Sequence, residues 1–213
     1  MENVTSWDRC SSYPDVLIND LYPVKPFEYQ RITRLEELID GYPYVLEVEF
    51  FDIRQRDQFY GAPYLSIHKC QELTSVINDN GRVVESSHLR TTCTDVDLMI
   101  IRDQYVWSKA RIVKAYRSEY GRLPSAMRDV IMDYYVKKTQ LKGVAGEEVY
   151  YNKAKNKLNS VYGCCAMNPV RTTVVFNGTD FNVKEVDEKT ELEKANKKAF
   201  SLYCWGCWCT AWS

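Results

Sequence analysis

Lys155-Asn156-Lys157-Leu158-Asn159-Ser160-Val161-Tyr162-Gly163 is the most informative stretch of the chain. Placed on a helix, Ala154, Leu158 and Val161 fall at i, i+4 and i+7 and make an apolar stripe that packs inward. Lys155, Asn159 and Tyr162 share that spacing on another face, which presents an ammonium, an amide and a phenol in a row. The helix is expected from about Glu147 to Tyr162, with Gly163 as its C-cap. Upstream, Pro124 and Ser125 open another helix, with Met127, Val130, Ile131 and Tyr134 at helical spacing. Gly143 and Gly146 separate the two.

Charge around these helices is lopsided. Residues 137 to 157 hold six lysines against two acids, Glu147 and Glu148, while the whole chain has a formal net charge of −1. Any positive surface for nucleic acid is therefore local. Lysines beside an aromatic residue suit a polyphosphate and a base, because ammoniums pair with phosphate oxygens and a ring stacks on a base. A solvated surface helix with an amphipathic tyrosine fits the same pattern. On the residues alone, both readings stand.

The stretch resembles motif B of the family B DNA polymerases, K-x3-N-S-x-Y-G. Near the N-terminus, Asp8-Arg9-Cys10-Ser11-Ser12-Tyr13-Pro14 resembles their motif A, D-x2-S-x-Y-P. Arg9 and Cys10 stand where smaller or apolar residues are commoner in the family. Leu89 to Leu98 includes Thr94-Asp95-Val96-Asp97-Leu98, similar to the T-x-V-D-L segment of the protein-primed viral and phage type. Trp205 to Trp212 is similar to the W-G-x-W-x-T-A-W stretch that begins a palm helix in that type. The four segments occur in the family's order and cover most of the chain.

The resemblance implies roles for particular residues. Asp8 would be the catalytic residue and the Mg²⁺ ligand, a strand-end carboxylate of the kind that holds hard cations. Tyr13 would lie under the ribose, where a bulky ring excludes a 2′-hydroxyl. Lys155 and Lys138 would contact the triphosphate, and Asn159 and Tyr162 would line the nascent base pair. Gly163 would let the chain turn back toward the template, and Ser11 and Ser12 would touch DNA.

The expected fold is α+β: a partial polymerase palm with a β-rich insertion and a two-helix fingers element. Residues 1–24 carry motif A, read as a strand, a turn at Ser12-Tyr13-Pro14 and the apolar Val16-Leu17-Ile18. Residues 25–126 resemble the insertion that in this type contacts the terminal protein or DNA. Within them Leu46, Val48 and Phe50 alternate with Glu47 and Glu49, the pattern of a half-buried strand. Asn80-Gly81 between apolar runs signals a type I′ hairpin. Thr94 with Asp97 resembles a capping box, and residues 106 to 118 read as a strand. Residues 127–166 would be the fingers, 167–199 a loop or second insertion, and 200–213 a return to the palm. The six acids and five lysines of residues 180 to 198 predict a solvated loop or exposed helix.

The expected parent reaction is template-directed addition of dNTPs to a primer in viral or phage replication. Two-metal phosphoryl transfer needs carboxylates on both sides of an ion pair roughly 3.5–4 Å apart. The family's motif C, Tyr-x-Asp-Thr-Asp, supplies the second set and is not found in the sequence. The expectation is thus a polymerase fragment, inactive alone. Its expected partners are primer-template DNA and dNTPs, with a terminal protein and a second chain carrying motif C as further candidates. The alternative is a non-catalytic DNA- or protein-binding module derived from a polymerase.

Other chemistries find less support. No apolar run reaches the roughly 18 residues of a membrane span, and the N-terminus lacks a signal-peptide pattern, so host cytoplasm is expected. Cys204, Cys207 and Cys209 hint at zinc, but one C-x2-C pair without a second is a weak signal. The eight cysteines read as free thiols. The two histidines, His68 and His88, have no obvious nucleophile beside them, which argues against a cysteine hydrolase.

Overall fold

A computed structural model describes residues 11–57, 61–167, 170, 172–184, 186–197 and 203–213. Asp8, Arg9 and Cys10 lie outside the described residues. In chain order the elements begin with helix α1 (Ser12–Asn19) and strands β1 (Tyr22–Pro23), β2 (Glu28–Gln30) and β3 (Tyr44–Gln55). Strands β4 (Cys70–Thr74), β5 (Ile77–Asp79) and β6 (Arg82–Thr94) lead to helix α2 (Asp95–Gln104). Strands β7 (Tyr105–Val106), β8 (Lys109–Arg117) and β9 (Tyr120–Gly121) follow. Then come α3 (Ser125–Leu141), α4 (Glu148–Cys165), β10 (Thr173–Phe176), β11 (Phe181–Lys184), α5 (Glu188–Lys197) and α6 (Tyr203–Trp212). The fold class is α+β, as the sequence predicts.

The chain divides into two compact units. One spans Leu21–Arg122, and the other is built chiefly from the segments up to Asp20 and from Leu123 to Ala211.

The first unit is an antiparallel sheet in the order β2-β8-β3-β6-β4, with β5 added to β6 and β7 to β3. Leu46, Val48 and Phe50 of β3 are fully buried with Leu89, Ile112 and Ala115 of the neighbouring strands. Leu98 and Ile101 of α2 join that core. The alternation slips at Asp52, which sits at φ 49, so Ile53 enters the core in its place. Short Asp tolerates this left-handed conformation better than a branched residue would. On the other face Glu47 pairs with Arg90 and Lys114, and Glu49 pairs with Arg111. Burial works against the charge of Glu47, yet hydrogen bonds from Lys114 and Arg90 hold its pKa below the usual carboxylate range.

Two local signals in this unit form as expected. Asn80 and Gly81 have φ of 47 and 77, so both central residues of the β5–β6 turn are left-handed, as type I′ requires. Thr94 caps α2: its Oγ1 accepts from the Asp97 N–H at 3.1 Å, and the Asp97 carboxylate accepts from the Thr94 N–H at 2.8 Å. The Tyr64 hydroxyl also donates to Asp97, and the Tyr120 hydroxyl donates to Asp95 at 2.5 Å. The Thr94–Leu98 segment is therefore a structural knot that ties α2 to the sheet and its flanking loops.

In the helical unit, α3 and α4 pack together after a reversal at Gly143 and Gly146, whose φ values are 78 and 83. Ile131, Ala154, Leu158 and Cys165 are buried, with Trp205, Trp208 and Cys209 of α6. A Cβ on Gly206 would lie 2.6 Å from the Cys165 carbonyl oxygen, so α6 approaches the end of α4 only because position 206 has no side chain. Strands β10 and β11 pair from Thr173↔Lys184 to Phe176↔Phe181, and α5 after them carries the expected exposed charges.

Two expectations are corrected. Ser12-Tyr13-Pro14 is not a free turn but the first turn of α1; Pro14 sits where no intrahelical acceptor awaits an N–H, so it is tolerated. Gly163 does not stop α4, which runs two residues further to Cys165. A glycine C-cap works through a left-handed conformation, and Gly163 is not among the positive-φ glycines.

Candidate nucleotide site

Within the helical unit, α1, α3, α4 and α6 bring most of the described motif residues together. Ser11 precedes α1 in a left-handed conformation, φ 57, and its Oγ accepts a hydrogen bond from Lys138 Nζ of α3 at 2.7 Å. The Ser12 hydroxyl donates to the Ser213 carbonyl at 3.3 Å. The Tyr13 ring lies flat on the Tyr162 ring of α4, with centroids 3.8 Å apart and planes 4° from parallel.

Helix α6 fixes both rings. The Thr210 hydroxyl lies 2.9 Å from the Gly206 carbonyl, which accepts its single proton, and 3.0 Å from the Tyr162 hydroxyl. Tyr162 is therefore the donor to Thr210. The Cys209 thiol points at the Tyr13 carbonyl at 3.8 Å. Burial, then the neighbouring Tyr162 phenol, raises the pKa of Tyr13, so this ring is neutral near pH 7. The pair can stack and hydrogen-bond.

The remaining residues fall on the same helices with different exposure. Lys155 and Asn159 are exposed on α4, about two turns and one turn before Tyr162 in the expected helical phase. Gly163 is exposed and a side chain there would meet nothing within 4 Å. A cavity of about 350 Å³ beside Ser11 is lined by Asp15, Asn19, Met132 and Tyr135. The motifs named Tyr13 and Tyr162 but not their contact. Thr210 and Cys209 were missed as partners, although both stand inside the Trp205–Trp212 stretch.

No Mg²⁺ seat can be drawn around Asp8, because it lies outside the described residues. Among those described, the one group with metal-ligating atoms close together is Glu49, Glu72 and His88 in the β-rich unit. Both carboxylates are already in ion pairs, with Arg111 and Arg90. Magnesium prefers oxygen ligands and water over imidazole. That group does not fit the cation the polymerase reading needs. The described cysteines are free thiols, and none of them joins a metal-ligating group. No helix among the described residues is long and apolar enough to cross a membrane.

The fold is shared with part of a known replicative enzyme. Phi29 DNA polymerase complexed with primer-template DNA, in a post-translocation binary complex, matches 95% of this chain and 32% of its own, with 20% identity and a TM-score of 0.67. The same polymerase complexed with single-stranded DNA matches at 18% identity and a TM-score of 0.64, with the same coverage. Its ternary complex with primer-template DNA and incoming nucleotides matches 84% of this chain and 30% of its own, at 18% identity and a TM-score of 0.61. This chain thus spans about a third of that structure's length, and at such identities the likeness concerns the fold. No curated protein matches the sequence significantly. Architecture and ordered motifs define a polymerase-type α+β protein. The model of DNA polymerase type B, organellar and viral, matches residues 1–210, and the chain belongs to that family.

Proposed function

We propose that this chain forms the dNTP pocket of a DNA polymerase that extends a primer on a DNA template. The observation that carries the reading is the Tyr13–Tyr162 stack, which joins the motif A and motif B segments ring to ring. A base has the same flat π-surface as these rings, so one can replace the other against Tyr162. Lys155 and Lys138 supply cations for the triphosphate, and Asn159 lies between Lys155 and Tyr162 on α4. Asp8 would hold Mg²⁺, which neutralises phosphate charge and polarises the reacting group. Ser11 and Ser12 would touch the DNA backbone.

The protein's own groups hold the pocket in a self-satisfied state. Lys138 is bonded to Ser11, and the two tyrosines cover each other. Nucleotide entry would exchange the Ser11 hydroxyl for a phosphate oxygen and the Tyr13 ring for a base. The test is a calorimetric titration of the chain with a dNTP and Mg²⁺. Saturable binding that is lost in Tyr162→Ala supports the pocket, and unchanged binding in that variant rejects it. Primer extension in the same preparations separates a working polymerase from a module that only binds.

A further inference from the structure

We propose a second binding site in the β-rich unit: a phosphate pocket formed by Arg56 and Arg102. It encloses about 520 Å³, with Trp107, Ser108 and Glu36 also on its wall. It needs nothing from the dNTP-pocket reading, because every residue in it lies within Leu21–Arg122.

The fold brings the two guanidiniums together from separate elements. Arg56 follows β3, and Arg102 lies in the last turn of α2. The Arg56 N–H donates to the Gln104 carbonyl at 2.8 Å, which pins the end of β3 to the end of α2. Both guanidiniums are then aimed by main-chain acceptors. Arg56 Nη2 donates to the Arg102 carbonyl at 3.1 Å, and Arg102 Nη2 donates to the Leu35 carbonyl at 3.2 Å. A carbonyl orients a guanidinium without neutralising it, and each arginine has five N–H donors.

The charge is left uncompensated. Arg90, Arg111 and Lys114 on the same sheet each sit on a carboxylate. Among the described residues, Arg56 and Arg102 have no ion pair, whereas Lys109, in register with Phe51, carries its Nζ 5.8 Å from that ring centre, on the sheet face opposite Phe50 and Trp107. Glu36 is the single acid on the wall, so the lining is net positive. Ser108 is excluded as a donor to the ligand, because its hydroxyl is turned to Asp52 at 2.7 Å and the Phe51 carbonyl at 3.1 Å. Two oriented forks match a tetrahedral, multiply charged anion better than a single carboxylate. The shared chemistry is a phosphate group. Its source is either a free phosphate or the phosphodiester of a nucleic-acid strand, and the volume leaves room for an attached nucleoside beside Trp107.

The test follows amide and indole NMR shifts of the chain at low salt, titrated separately with inorganic phosphate and with a short oligothymidine. Expected are saturable shifts at residues 102–110 and at the Trp107 indole. Arg102→Gln should weaken them about tenfold with the rest of the spectrum unchanged. Arg56→Gln should do the same. Tighter oligothymidine binding, weakened by the same variants, assigns the site to a strand; shifts with phosphate alone assign it to a free phosphate. No shifts at these residues with either probe, or shifts of equal affinity in a folded Arg102→Gln variant, overturn the proposal.

Discussion

Tyr13 and Tyr162 lie face to face at 3.8 Å, and the Tyr162 hydroxyl is anchored on Thr210 of α6. Tyr162, held from α6, is thus the platform of the proposed pocket, and Tyr13, 37% exposed, is the ring that would give way. In the proposed pocket this assigns base stacking to Tyr162 and sugar selection to Tyr13.

Removing the Tyr13 ring should therefore change selectivity more than affinity. Tyr13→Ala is expected to bind a dNTP within a few-fold of the unaltered chain while bringing ribonucleotide affinity close to it. Parallel calorimetric titrations with dATP and ATP measure the ratio. A ratio that does not move would remove Tyr13 from the sugar site.

Helical phase separates two neighbouring lysines. Lys155 stands in line with Asn159 and Tyr162, whereas Lys157 lies on another face of α4. Lys155→Ala should weaken dNTP binding about tenfold, the scale of one charge-assisted contact, and Lys157→Ala should leave it nearly unchanged. Equal losses in both would show that the lysines act only through general charge.

Packing at the end of α4 leaves no room at Gly206. An added methyl would meet the Cys165 carbonyl at 2.6 Å, and that oxygen belongs to backbone that cannot swing away. Gly206→Ala should cost on the order of 1–3 kcal/mol, the usual range for overpacking. It should appear as a lower urea midpoint at an unchanged slope. Gly163→Ala, with open space around it, is the matched control and should be neutral or slightly stabilising.

The Glu47 cluster makes stability depend on acid. Its folded pKa lies below the unfolded value of about 4.3, so its contribution is present above that value and is lost as pH falls through the folded pKa. Between pH 7 and 5 it should add no slope. Glu47→Gln is expected to flatten the stability profile below about pH 4 and to destabilise at neutral pH, because Arg90 would keep only Glu72. Urea titrations of both proteins from pH 7 to 3 measure this.

Periodicity and turn chemistry carried the β-rich unit well. The alternation in β3, the Asn80-Gly81 hairpin and the Thr94 cap all rest on interactions between near neighbours or on a period of two. The slip at Asp52 was not legible, because a left-handed residue inside a strand depends on what each face must bury. At α1, Tyr-Pro read as a turn because proline is a turn former, but the third helical position asks nothing of its missing N–H. At Gly163, glycine after an amphipathic run looks like a stop, and only the absence of a left-handed φ shows that the helix continues. The motifs named the proposed pocket residues one by one. Their closeness could not be read, since the Tyr13–Tyr162 and Lys138–Ser11 contacts join segments far apart in the chain.

In the proposed pocket, the Lys138–Ser11 bond would compete with the nucleotide. That hydroxyl takes one of the ammonium's three N–H donors, so a phosphate that needs the same donor would bind with its intrinsic affinity multiplied by the fraction of chains in which that bond is open. Ser11→Ala removes the competitor while leaving Lys138 in place. A serine that contributes nothing to the bound nucleotide would then still set the concentration at which the proposed pocket fills.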